Sequence, residues 1–156
     1  MSVAHLPEGY VISTNPALLD IEVIHDFIAQ SYWAKGMPKA LVEKMIRHAL
    51  CFGVYQGMRQ VGFARIISDF TTFAYLADVF ILPQHRGKGL SKALVKAIVE
   101  HPDLQGLRRW MLVTVDAHGL YEQFGFKPVE HPERHMEIHH AGMYERMSPL
   151  EAAPGT

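Results

Sequence analysis

The run from Thr72 to Ile81 is almost wholly apolar, and an amphipathic pattern begins soon after it at Leu90; between them stands Gln84-His85-Arg86-Gly87-Lys88-Gly89, a short basic turn. Strand, tight turn and helix in that order constrain the fold more than any other stretch of the chain, because a strand feeding directly into a helix must pack that helix back onto a sheet. Without a Cβ, Gly87 and Gly89 can take positive φ and let a ligand reach the backbone. The helix that follows offers unpaired N–H groups and a partial positive charge, so an anionic ligand is the natural occupant.

The common phosphate loops do not fit. A Walker loop needs Gly-Lys-Ser/Thr, whereas Lys88 is followed by Gly89 and Leu90. A dinucleotide fingerprint needs a third glycine where Lys92 stands, and no acidic residue closes a later strand at the expected distance. The turn does match Gln/Arg-x-x-Gly-x-Gly/Ala. From Val79 to Val99 the chain therefore resembles the coenzyme A loop of the GNAT superfamily of N-acetyltransferases. Downstream, Asp116-Ala117-His118-Gly119-Leu120-Tyr121-Glu122-Gln123-Phe124-Gly125-Phe126 is similar to that family's second motif, a short tyrosine-bearing helix closed by Gly-Phe.

Bulk properties agree with one enzyme-sized domain. The chain has 156 residues, 49% hydrophobic and 20% charged, enough for one continuous core over residues 1–147, and the tail 148–156 reads as disordered. A formal charge of -1 gives no global attraction to nucleic acid or to an anionic membrane. Cys51 is the only cysteine and cannot form an internal disulfide, and no apolar stretch is long enough to span a bilayer. The chain start lacks a charged segment followed by an apolar run, so the cytoplasm is the expected compartment.

Periodicity supplies the other elements. Tyr10 to Ser13 reads as a strand, and Asp20 as the cap of a helix with Ile21, Ile24, Phe27 and Ile28 on one face. Pro38 opens a second helix with an apolar stripe of Leu41, Val42, Met45, Ile46 and Ala49, and with Glu43 set to pair with Arg47. Cys51 to Tyr55 and Gln60 to Ile67 read as a hairpin about Gln56-Gly57-Met58-Arg59, and the helix from Leu90 ends before Pro102. Strands are expected at Arg109 to Val115, Phe126 to Val129 and Met136 to His140, with Asp116 capping the tyrosine helix and Gly125 ending it. The expected class is mixed α/β, a twisted and largely antiparallel sheet flanked by helices, which is also the fold the resemblance implies.

Acetyl transfer from a thioester to an amine requires an anchored carrier, a deprotonated amine, a stabilised oxyanion and a proton for the leaving thiolate. The resemblance implies acetyl-coenzyme A as donor, with its pantetheine arm along Val79, Phe80 and Ile81. Its pyrophosphate would lie at Gln84, His85, Arg86, Gly87, Lys88, Gly89, Leu90 and Ser91, with Asp116 and Tyr121 at the thioester end. An alkyl amine has a pKa of about 10, so something must take its proton. Asp78 is the candidate base: strict alternation puts it on the face of Leu76 and Phe80, where desolvation would raise its pKa, although a structural Asp bonded to backbone is an equal reading. N–H groups near Phe80 and Ile81 would hold the oxyanion if the strand separates from its neighbour there.

Tyr121 occupies the place of the family's acid in Leu-Tyr-x-x-x-Gly-Phe, and His118, one turn before it, is either an assistant or a surface residue. Tyr32 and Trp33, with Asp78, are the candidate acceptor contacts, and acceptor specificity is expected to depend on the segment 31–38, which holds Tyr32, Trp33 and Met37, and on the loop 68–71. No metal is expected. His135 and His139, four apart on an expected strand, would lie about 13 Å apart, too far to share an ion. Cys51 reads as a small buried residue rather than a nucleophile. The expected acceptor is a small-molecule primary amine, the alternatives being a protein lysine or N-terminus, or a non-catalytic coenzyme A-binding module; a homodimer is possible.

Overall fold

The computed structural model describes residues 6–147; the expected disordered tail lies outside the described residues. Five strands among them form one sheet in the order β1 (Tyr10–Ser13), β2 (Leu50–Gln56), β3 (Arg59–Ser68), β4 (Phe73–Ile81) and β5 (Arg109–Leu112). The first four run antiparallel in succession, and β5 lies parallel to β4. The mixed α/β class follows.

Helices cover both faces. Asp20 caps α1 (Ile21–Ile28) by accepting from the N–H groups of Glu22 and Val23, and α2 (Lys39–Arg47) starts behind Pro38. Their buried Ile24, Ile28 and Val42 pack with Cys51, Phe63 and Phe80 on one sheet face. Expected to pair along α2, Glu43 and Arg47 are not joined among the described residues; Lys39 of α2 instead reaches Glu22 of α1. On the other face α3 (Leu90–Val99) buries Leu90, Leu94, Val95 and Ile98 against Phe52, Val54, Ile66 and Leu76, and α4 (His118–Glu122) lies beside it.

The last third departs from the periodicity. β5 stops at Leu112, leaving Val113 and Val115 largely exposed. Phe126 to Val129 and Met136 to His140 form no strand; Met136 is 98% and Ile138 90% exposed. Alternation of apolar residues marks a strand only where a sheet edge is available to pair with it, and neither segment meets one. Asp116 does not cap α4. Ala117 takes the cap position, its N–H bonded to Thr114 Oγ1, while Gly125 turns the chain at φ 96° as expected.

β4 carries the feature that shapes everything near it. Its pairing with β3 slips between Phe63 and Arg65, and Asp78 sits at φ 53°, a left-handed conformation rare outside glycine. The extra residue breaks the alternation. Leu76 belongs to the α3 face, whereas Asp78 and Phe80 turn to the α1/α2 face, so the expected common face of Leu76 and Asp78 does not exist.

Gly62 lies opposite Ile81 at this point, and a Cβ there would stand 2.7 Å from Ile81 Cδ1 and 3.0 Å from the Phe80 carbonyl oxygen. Replacing Gly62 by Ala is expected to lower the unfolding free energy by about 1–3 kcal/mol through overpacking, read from urea denaturation. An unchanged midpoint would show that the two strands can move apart without cost.

Candidate active site

The end of β4 opens into a cleft because β5 leaves it early. The parallel pairing runs from Phe73 with Arg109 to Leu76 with Leu112 and no further, so Ala77 to Ile81 present an edge without a strand beside it. The N–H of Leu82 bonds Val61 O on the β3 side. By strand alternation Phe80 faces β3 as well, while the N–H groups of Val79 and Ile81 point into the gap. The expected separation is therefore present, with Val79 rather than Phe80 beside Ile81 as a free donor.

Beyond the gap comes the basic turn. Gly87 and Gly89 both have φ 79°, and open space surrounds the position a Cβ would take on either. Gly89 stands at the N-terminus of α3 with no side chain capping it, so the N–H groups of Leu90 and Ser91 and of Lys92 are free for a ligand. The cations of the turn are held in place. Arg86 Nε donates to Ile81 O at 2.9 Å, and Lys88 Nζ donates to the Tyr10 hydroxyl at 3.2 Å, which shares a 2.8 Å hydrogen bond with His85 Nδ1. Gln84 sits in the short turn between strand and glycines. Tyr10 was not among the expected site residues; nothing in its sequence surroundings marks it as the anchor of a turn 75 residues away.

Across the cleft Tyr121 is 8% exposed, its ring edge against Phe126 at 5.8 Å. Burial and then the nearby Tyr32 hydroxyl push its pKa up to about 12, so it keeps its proton at neutral pH. Tyr32 and Trp33 stand on the loop between α1 and α2, in T-shaped contact at 5.1 Å. That loop is tied down: Ser31 Oγ donates to Ile28 O and accepts from the Ala34 N–H, and His25 Nε2 donates to Met37 O. Trp33 in turn donates its Nε1–H to Asp78 Oδ1 at 2.7 Å. Asp116, exposed after β5, joins none of these contacts among the described residues.

Asp78 is thus not a lone carboxyl in an apolar pocket. Its Oδ2 accepts from Arg65 Nε at 2.7 Å, in an ion pair whose side chains are only 18% and 5% exposed. Arg65 escaped the sequence reading; the signal was there, one charge inside the apolar run Val61 to Ile67. Cys51, opposite Arg65 on β2, is buried with its thiol pushed up to about 11, which makes it a poor nucleophile. A surface cavity of about 680 Å³ lies elsewhere, between residues 108–111 and residues 124–135.

This architecture has clear relatives. Residues 21–126 match the model of the acetyltransferase (GNAT) family. The chain belongs to the GNAT acetyltransferases. A provisionally named acetyltransferase of Gibberella zeae is 34% identical over 135 residues, covering 72% of this chain and 75% of that one. The crystal structure of a provisionally assigned GNAT acetyltransferase from Xanthomonas campestris pv. campestris is 54% identical, with a TM-score of 0.86 over 90% of this chain and 99% of that one. A GNAT acetyltransferase from Elizabethkingia anophelis with acetyl-coenzyme A bound shares the fold alone, at 12% identity and a TM-score of 0.61, over 80% of each chain. GNAT enzymes use acetyl-coenzyme A, and the open glycine turn, the uncapped α3 and the gap beside β4 form a cleft that such a donor fits. No helix among the described residues is long and apolar enough to cross a membrane.

Because the Tyr121 pKa is raised on folding, its contribution to stability is complete below about pH 10, where the unfolded tyrosine starts to ionise, and is lost as pH rises toward about 12. Tyr121→Phe is expected to make alkaline unfolding less steep over that window, followed by circular dichroism.

Proposed function

We propose that the protein transfers an acetyl group from acetyl-coenzyme A to the primary amine of a small molecule, directly, with both substrates bound together. The single observation that carries this reading is that β4 leads from the Trp33–Asp78–Arg65 cluster to the open glycine turn at its end, with Tyr32 in contact with Trp33 and near enough to Tyr121 to act on its charge. Bound acetyl-coenzyme A supplies the acyl group as a thioester. The amides at Leu90, Ser91 and Lys92 and the terminal nitrogens of Arg86 suit its pyrophosphate, since donors at a helix N-terminus favour multiply charged anions. Val79 and Ile81 offer the backbone donors for the pantetheine amides and for charge developing on the acyl oxygen. Tyr121 gives its proton to the departing sulfur, and the proton that the amine nitrogen loses on forming the amide restores it, directly or through water.

Asp78 is assigned here to orienting the amine. Each of its oxygens has accepted one hydrogen bond and keeps room for another, so an amine N–H can be received without breaking the bonds to Trp33 and Arg65. Asp78 then orients the amine rather than deprotonating it, and the ionisation of the amine itself controls the rate. A small acceptor is favoured over a protein because the polar groups that would meet it, Trp33, Asp78 and Arg65, are gathered within hydrogen-bond reach of one another.

Acetyl-coenzyme A and coenzyme A, but not ATP or NAD, are expected to raise the melting temperature; ligand at about 100 times its dissociation constant adds roughly 2.7 kcal/mol. Equal shifts with ATP would remove the turn from the donor site. Tyr121→Phe is expected to lower kcat about 100-fold with the acetyl-coenzyme A shift retained, measured by thiol release. Across a series of amines of different pKa, the rising limb of kcat/KM against pH is expected to follow the amine. A limb that stays fixed would return the base role to Asp78.

A further inference from the structure

The Asp78–Arg65 pair has an unusual geometry for a buried ion pair. A carboxylate normally grips a guanidinium with both oxygens, fork to fork. Here Trp33 occupies Oδ1, so Asp78 can hold Arg65 through Oδ2 and Nε alone. The two terminal nitrogens, Nη1 and Nη2, have no partner among the described residues and keep contact with solvent. The side chain is fixed at its base and free at its tip. That is the arrangement by which an arginine receives a second, external carboxylate, since the end-on pair of N–H donors is aligned and already partly desolvated.

The place of this tip fits. Arg65 shares its sheet face with Cys51 and Asp78, and Tyr75 stands one strand away on that same face. Helices α1 and α2 cover the end of the face near Phe63 and Phe80 but leave Ile67 44% exposed and Arg65, Phe73 and Tyr75 partly open. The result is an apolar and aromatic floor with one cation at its head and one anion, Asp78, beside it toward the donor gap. Glu137, from the chain beyond α4, also acts on Tyr75 and adds negative charge at the outer rim. A molecule with an amine and a carboxylate on the same carbon has the complementary pattern, amine to Asp78 and carboxylate to Arg65.

We propose that the acceptor is an amino acid or a closely related amine that carries a carboxylate, bound through the free end of Arg65. This inference rests on the transferase reading and adds the chemical class of its acceptor. Arg65 is then the residue that sets specificity, and Asp78 and Trp33 position it.

The test is thiol release by the full chain with matched acceptors that differ only in the carboxylate: L-phenylalanine against phenethylamine, L-leucine against isopentylamine, and L-lysine against cadaverine. The acid of at least one pair is expected to have kcat/KM about 10-fold or more above its partner, the difference lying in KM. Arg65→Lys keeps a cation for Asp78 but not the fork, and is expected to bring that ratio close to one. Arg65→Met is the harsher variant; where it fails to fold, Arg65→Lys decides. A normal acetyl-coenzyme A melting shift without any preference for the acids, without turnover of any of them, or with a preference unchanged in Arg65→Lys, overturns the inference alone. Absence of the melting shift overturns the transferase reading and this inference with it.

Discussion

The left-handed residue in β4 is the constraint on which the site depends. Holding a non-glycine residue at φ 53° costs of order 1 kcal/mol or more, less for Asp than for most residues. Two charge-assisted or polar bonds, from Trp33 and Arg65, offset that cost and fix the side chain that the strain exposes. The same slip in register turns Asp78 to the α1/α2 face. On the other edge, β5 pairs with β4 only up to Leu76, so the gap starts where the slip occurs. The strain, the buried Asp78 side chain and the gap beside β4 are one local event in the sheet.

The glycine turn depends on the sheet in a second way. Arg86 is tied to Ile81 O at the end of β4, and Lys88 and His85 are tied to Tyr10 of β1, so the turn is held from two strands although its glycines would otherwise leave it loose. Because the α3 terminus is uncapped, its first N–H groups stay available to an anion. A serine or aspartate in place of Gly89 would supply a cap and compete with the ligand for the same donors.

Legibility in the sequence followed the range of the interactions. β1, α1, α2, the hairpin of β2 and β3, β4 and α3 were readable because each rests on local periodicity, a cap or a turn residue: Asp20, Pro38, Gly57 and Gly89 mark their boundaries. The turn was readable for the same reason. What failed needed knowledge of a neighbour. Phe126 to Val129 and Met136 to His140 alternate like strands but find no edge, and Asp116 has the composition of a cap one residue from where the helix starts. Strict alternation puts Asp78 on the wrong face, since it cannot foresee a bulge. Arg65 and Tyr10 act on partners 13 and 78 residues away and left only a faint trace, a lone charge and an ordinary strand tyrosine.

This division has a consequence for what each half of the cleft can tolerate. The proposed donor side is built mainly of backbone: free amides beside β4 and at the start of α3, set by two glycines at positive φ. Side-chain changes there alter affinity by degrees, because the donors remain as long as the chain path does. The proposed acceptor side is built of side chains, Trp33, Asp78, Arg65 and Tyr32, joined so that each fixes the next. Removing one leaves a partly buried charge or donor unpaired, and such clusters respond in a strongly non-additive way. A fold can therefore keep its donor while its acceptor changes through a few coupled side chains, and the chemistry of this chain's acceptor must be read from that cluster rather than from the turn that identifies the family.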